Sequence, residues 1–311
     1  MRGFELTQLT RGSTSTQGFV APLGGVWIAS AQSALPLIVR GRAPAAHVTL
    51  LIADSAFVPA RVGLHPIGEG RSAILGCGAQ VDLFMPEGCR LFAVCIPDCA
   101  GRDRPPLPGS ALPKQHQSLV VSADREHLHW LVRWARSVAR RLQQTPIAGG
   151  AKRRLQRGVL NASHRVLESA RPLGEDDDAI PLRQRAVMRA RDLVRDRLSQ
   201  RISLVDLCGM AQVRARALEY GFRELYGMSP IAYIRCERLC RVHDDLLAAS
   251  RAVTSVTETA TRWGFAHMSQ FAKDYRMLFG ERPSATLLGK GRTSGAIHWL
   301  RTDGRSPHSA A

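Results

Sequence analysis

The chain is short of acid. Its 311 residues hold 26 aspartates and glutamates against 43 lysines and arginines, a formal net charge of +17 with a pI near 10.8. Such an imbalance favours partners that carry negative charge, nucleic acid or an anionic membrane surface. Aromatic residues make up only 6% of the chain, so any place where they recur in register is informative. Glycine (27) and proline (17) are too few, and too irregularly spaced, for a collagen-like or low-complexity chain. The seven cysteines include no CxxC pair. An odd count without the spacing of a small disulfide scaffold argues for reduced thiols and a cytoplasmic location.

A long uninterrupted apolar run is also missing. Gly18 to Val39 carries no charge, follows Arg2 and Arg11, and contains Ala29-Ser30-Ala31, an imitation of a signal-peptidase site. Pro22, Gly24, Gly25, Gln32 and Pro36 break it, and Glu5 with the polar run from Thr7 to Gln17 spoils its front end. Buried strands explain it better than a secretory signal or a membrane span.

Catalytic patterns are absent as well. There is no G-x-S-x-G, and no glycine-rich phosphate loop ahead of a helix. His47 and His65 stand apart, without the carboxylates of a metal-binding barrel. Cys236, Cys240 and His243 are spaced to share a helical face but lack a fourth ligand, so packing is the simpler reading. The chain is expected to be no enzyme and to hold neither metal nor cofactor.

The first 122 residues read as β-structure. His47 to Ile52 is a β-branched and aliphatic run. Gln80–Phe84 and Arg90–Ile96 flank Pro86-Glu87-Gly88, which reads as strand, tight turn, strand. A small β-barrel is the natural expectation. From residue 123 the period changes: Leu128, Leu131, Val132, Ala135 and Val138 recur at three- and four-residue spacing. That stripe serves either a dimer seam or packing on the protein's own strands. A second helical run, Lys152 to Ser169, follows Gly149-Gly150, and the acidic segment Glu175–Asp178 reads as a linker. The domains expected are therefore 1–122, a helical segment 123–181, a third unit 182–288 and a polar tail 289–311. Residues 182–288 hold the largest charge surplus, 18 basic against 11 acidic.

That third unit contains a repeat. Phe222-Arg-Glu-Leu-Tyr-Gly-Met-Ser-Pro230 and Tyr275-Arg-Met-Leu-Phe-Gly-Glu-Arg-Pro283 share aromatic, Arg, Leu, aromatic, Gly and Pro at a constant offset. Each copy begins with a candidate cap: Ser255 with Glu258, and a weaker version in Ser203 with Asp206. A short helix, a turn, a second helix and a closing glycine follow, which is a helix-turn-helix. Its expected core comprises Leu207, Leu218 and Phe222 in the first copy, and Ala260, Gly264, Phe265, Phe271 and Tyr275 in the second. Between the copies, Ser229 and Pro230 start a helix of about 20 residues, roughly 30 Å long. That approaches the ~34 Å between successive major-groove faces on one side of B-DNA.

Arg201 to Leu288 resembles the DNA-binding domain of AraC-type transcriptional regulators, two helix-turn-helix units in a seven-helix domain. Trp263 to Pro283 carries the most specific part, the family's Gly-Phe, Ser-x-Phe and Gly-x-x-Pro pattern. More weakly, Gly76–Pro97 resembles the cupin-like effector half of some members. Gln212 stands where the family usually has Gly, Arg214 where it has a capping Ser, and Thr259 where it has Ile. The resemblance implies an α+β chain: a cupin-like barrel with helices, then an all-α domain. It implies a transcription regulator, an activator by expectation, with double-stranded DNA and RNA polymerase as partners and no membrane. A homodimer and a small-molecule effector of unknown identity are compatible with it. Base contacts are expected from Arg216, Glu219, Tyr220, Ser269, Gln270 and Lys273, whose chemistry suits base edges. Phosphate contacts are expected from Arg214, Arg223, His267 and Arg276. Two alternatives stay open, a DNA-binding module fused to an alkyl-accepting domain, with Cys99 the nearest candidate, and a regulator without ligand control.

Overall fold

The computed structural model describes residues 5–11, 16–54, 58–98, 112–144, 149–173, 180–248 and 255–289. Cys99, the acidic segment 175–178 and the tail from 290 lie outside them. Ten strands come first: β1 (Glu5–Gln8), β2 (Thr16–Leu23), β3 (Val26–Ser33), β4 (Leu37–Arg42) and β5 (His47–Asp54), then β6 (Ala60–Val62), β7 (His65–Ile67), β8 (Arg71–Leu75), β9 (Gln80–Met85) and β10 (Arg90–Pro97). After β11 (Ser118–Ser122) come α1 (Arg125–Gln144) and α2 (Gly149–Ser169), and a two-residue strand, β12 (Arg171–Pro172). The uncharged run Gly18–Val39 thus supplies strands β2 to β4.

The strands form two antiparallel sheets, where the sequence suggests one small cupin-like barrel. Five strands run in the order β1-β4-β9-β6-β7 and seven in the order β12-β11-β8-β5-β10-β3-β2. The Pro86-Glu87-Gly88 turn is present, with Cys89 N–H donating to the Pro86 carbonyl at 3.2 Å. It makes no hairpin, however. It carries the chain out of one sheet at β9 and into the other at β10, so the strands on either side of it never pair.

Both faces of both sheets are covered, and the sequence shows why. Along β5 and β10, Leu51, Ala53 and Leu91 point into the core between the sheets. Their neighbours Leu50, Ile52, Phe92 and Val94 point the other way, onto α1 and α2. A strand buried on both faces needs a nearly continuous apolar run, which Val48–Ala53, broken only by Thr49, supplies. The α1 stripe, Leu128, Leu131, Val132, Ala135 and Val138, is buried in that same outer layer. It is spent on the protein's own sheet. In α2, Gly158 admits the Trp134 ring, which a Cβ would meet at 2.4 Å.

Seven helices complete the described chain: α3 (Leu182–Asp196), α4 (Leu204–Ala211), α5 (Ala215–Tyr226), α6 (Pro230–Ala248), α7 (Val256–Arg262), α8 (Met268–Phe279) and α9 (Pro283–Leu287). They pack on the outer face of the five-stranded sheet, where Ile38 and Phe84 join a core with Val187, Tyr226 and Tyr233. The layers therefore run α1/α2, seven-stranded sheet, five-stranded sheet, α3–α9. In register with Ile38 and Phe84, Arg40 and Asp82 face the helices from the paired strands β4 and β9. Arg40 donates to Glu237 at 2.7 Å and to the Tyr233 hydroxyl at 2.6 Å. The Thr7 hydroxyl donates to the other Glu237 oxygen at 2.9 Å. A buried charged network thus joins β1, β4 and β9 to α3 and α6.

Candidate nucleic-acid interface

Two short helices, α4 and α7, each set up a longer one. Ser203 caps α4: its hydroxyl accepts from Asp206 N–H at 3.2 Å, while the Asp206 carboxylate accepts from Ser203 N–H at 2.8 Å. A further bond from the Ser203 hydroxyl, and then the one from the Ser203 N–H, hold the Asp206 carboxyl below its ordinary range. Ser255 caps α7 by accepting from Glu258 N–H at 3.0 Å, but the Glu258 carboxylate lies 3.7 Å from Arg262, one turn on. The reciprocal box is therefore the aspartate one, the reverse of the expected ranking. The shorter side chain stays at the cap, and the longer reaches an i+4 arginine.

The turns carry the departures. α4 ends at Gln212 in the left-handed region, φ +56° and ψ +40°. Glycines do the same work at the ends of α5 and α8, Gly227 at φ +69° and Gly280 at φ +74°. A residue with a Cβ costs about 1–2 kcal/mol there. Arg214 at the start of α5 makes no side-chain cap, nor does His267 at the start of α8. Those first N–H groups, one arginine and one histidine side chain are left at helix starts, an arrangement that suits phosphate oxygens.

One helix roots both units. α6 has 19 residues, about 28 Å of rise. Tyr233 and Ile234 belong to the core of the first unit, while Leu239, Cys240, Val242 and Leu246 belong to that of the second. Within the units, Leu207, Leu218, Phe222, Ala260, Phe271 and Tyr275 are buried. Phe265 is half-buried, and Gly264 is an exposed turn residue at φ +82°, not a core one.

The outward faces of α5 and α8 hold the remaining candidates. Arg216, Tyr220, Ser269, Gln270 and Lys273 are exposed and Glu219 is half-buried; Arg214, Arg223, His267 and Arg276 are exposed. The Arg216 guanidinium lies over the Tyr220 ring, 5.8 Å from its centre, which stiffens both. Gln270 donates through Nε2 to Asp274 at 2.9 Å, and Asp274 is 3.3 Å from Arg235 of α6. To read adenine with both amide atoms, Gln270 must release Asp274. Sequence reasoning missed Asp274, although its position four residues on from Gln270 is a helical contact.

It also missed the network beneath the domain. Glu237 sits four residues from Tyr233 on the buried face of α6, a polar residue in an apolar stripe, and that was the available signal. Burial alone would raise its carboxyl, but Arg40 and bonds from Tyr233 and Thr7 outweigh burial and hold it below the ordinary range. The Cys236, Cys240 and His243 face is engaged in packing. Cys236 donates to the Leu9 carbonyl at 3.7 Å, Cys240 accepts from Gln8 N–H at 3.4 Å, and His243 Nδ1 lies 2.7 Å from the Tyr275 hydroxyl. Burial pushes the Cys89 and Cys236 thiols up to about 12, far from a thiolate at neutral pH.

Residues 207–288 match the family described as a helix-turn-helix domain. The crystal structure of a probable AraC family transcriptional regulator from Rhodopseudomonas palustris CGA009 is 32% identical, over 33% of this chain and 95% of that one, with a TM-score of 0.32. Through residues 207–288 the chain belongs to the AraC-type helix-turn-helix family. Among curated relatives, the XylDLEGF operon transcriptional activator of Pseudomonas putida is 27% identical over 240 residues, 72% of this chain and 68% of that protein. The probable thc operon regulatory protein of Rhodococcus erythropolis is 34% identical over 96 residues, 31% of this chain and 29% of that protein. The likeness to the second relative is thus confined to less than a third of either sequence.

Proposed function

We propose that this AraC-type chain is a sequence-specific DNA-binding regulator of transcription whose α5 and α8 enter successive turns of one major groove. The observation that carries the reading is the single helix α6, about 28 Å long, whose first half roots one helix-turn-helix core and whose second half roots the other. Arg216, Glu219 and Tyr220 of α5, with Ser269, Gln270 and Lys273 of α8, read base edges. Arg214, Arg223, His267 and Arg276 hold phosphates. The relatives' names, operon transcriptional activator and operon regulatory protein, support a role in activating transcription; RNA polymerase as partner and a cytoplasmic location belong to the same proposal.

Residues 1–122 form the sensing half, 123–181 the helical connection and 182–288 the DNA-binding domain. The sensing half is suited to binding rather than chemistry, and its Cys89, kept a thiol by burial, offers no thiolate nucleophile there. Titration of labelled genomic duplexes with the full chain tests the reading. About six to ten phosphate contacts make affinity fall by about 10³–10⁵ between roughly 50 and 200 mM salt. An affinity indifferent to salt over that range rules the reading out.

A further inference from the structure

A second basic feature lies where α1 meets the edges of both sheets, lined by no residue of α5 or α8. Between the first turns of α1 and the tight turn joining β7 to β8 lies a cleft of about 810 Å³. Arg71, Arg125, Arg133 and Arg136 line it, against two carboxylates, Asp54 and Glu69. Its apolar floor includes Ile52, Leu128 and Val132. Positions 125, 128, 132, 133 and 136 fall on one face of α1, so a single helix presents both the cations and the floor.

The cleft is shaped around its arginines. Glu69 and Gly70 have φ of +46° and +90°, and Gly68 and Arg71 exchange two backbone hydrogen bonds of 2.9 Å, a primed two-residue turn. The Arg125 stem crosses this turn, and a Cβ on Gly70 would sit 3.0 Å from Arg125 Cγ. Arg136 is held over the Phe92 ring at 4.8 Å and pairs with Asp54 at 2.8 Å, yet its Nε is buried without a hydrogen-bond partner. Arg125, Arg133 and Arg136 against Asp54 and Glu69 leave a surplus of positive charge above an apolar floor.

We propose that this cleft binds a small organic anion, a carboxylate with an apolar body, and that this is the ligand of the sensing half. Guanidinium groups take a carboxylate in a bidentate fork, and Ile52, Leu128 and Val132 cover its hydrocarbon. The volume is that of a small-molecule site. DNA is not its partner: none of the residues that line it belongs to α5, α8 or any other helix of α3–α9. The ligand assignment rests on the sensing role proposed above for residues 1–122, and the two fail separately.

The test is calorimetric titration of the full chain with cyclohexanecarboxylate, phenylacetate and octanoate, each against its neutral carboxamide at constant ionic strength. At least one acid binds with one site per chain and its amide binds about tenfold weaker or worse, the cost of losing the charge-assisted pair. Arg125→Gln and Arg133→Gln, both at exposed positions and each checked for an unchanged melting temperature, weaken the acid by a similar factor. Arg157→Gln on α2, which does not line the cleft, leaves it unchanged. The inference is overturned if no acid of the panel binds at millimolar concentration, if acid and amide bind alike, or if Arg157→Gln weakens the acid as much. DNA binding by the same samples is the separate readout. An acid that binds as stated without altering DNA affinity or transcription removes the sensing role and leaves the anion site standing.

Discussion

Arg191 of α3 donates through one nitrogen to both carboxylate oxygens of Asp82 on β9, at 2.7 and 2.6 Å. The same guanidinium donates to the Tyr226 hydroxyl at 2.6 Å. With Arg40, Tyr233 and Glu237 alongside, the DNA-binding helices are not tethered loosely to the sheets but docked on one of them through buried charge. Removing one partner from such a network strands the other in low dielectric, which is why buried pairs cost more to break than to replace.

Glu237→Gln is the cleanest way to open it. The carboxyl is held below its ordinary value of 4.5, so its contribution to stability is fully present above pH 4.5 and is lost as pH falls through the depressed folded value. At pH 7 the variant is expected to be less stable by about 3 kcal/mol. Urea midpoints of the two proteins then converge below pH 4.5. A stability difference that stays constant from pH 7 to pH 3 contradicts the assignment.

Gln212→Gly acts in the opposite direction. The backbone there is already left-handed, so glycine removes steric strain of about 1–2 kcal/mol, partly offset by the greater freedom it gives the unfolded chain. A net gain of about 0.5–1 kcal/mol in thermal or urea denaturation is expected, with DNA affinity unchanged. Destabilisation means that the Gln212 side chain makes a contact worth more than the strain.

Gly221→Ala tests how closely α5 approaches α3. A Cβ at this position lies 2.6 Å from Val187 Cγ2 and 3.0 Å from the Arg183 carbonyl oxygen. Overpacking costs about 1–3 kcal/mol and exceeds the roughly 1 kcal/mol that alanine gains in a helix. A lower melting temperature is expected. An unchanged or higher one shows that the two helices can separate without cost.

Much of the helical unit was legible because each part is specified locally. Ser203, Ser229 and Ser255 mark helix starts, Gly227 and Gly280 mark ends, and Phe222 and Tyr275 recur in register. The sheets were legible only as strands. The Pro86-Glu87-Gly88 turn reads the same whether it closes a hairpin or passes the chain between sheets, because that choice depends on partners far along the sequence. The β-branched and aliphatic run His47–Ile52 was the one local sign that both faces are covered. Arg40, Asp82, Arg191 and the arginine-lined cleft escaped for the same reason. Each residue looks like an ordinary surface charge until the fold brings strand and helix together.

The proposal that α5 and α8 read bases one helical turn apart is tested most directly by specificity profiling. A randomised duplex library bound by the full chain is sequenced and compared with the profiles of Arg216→Ala, Gln270→Ala and Arg276→Ala. Arg216→Ala and Gln270→Ala should each lose about 1–3 kcal/mol of discrimination at one or two base pairs, the two sets lying about 10 bp apart. Arg276→Ala should weaken all sequences alike and reduce the salt slope by about one unit. If Arg216→Ala and Gln270→Ala instead lower affinity uniformly and relax no position, α5 and α8 are not the reading helices.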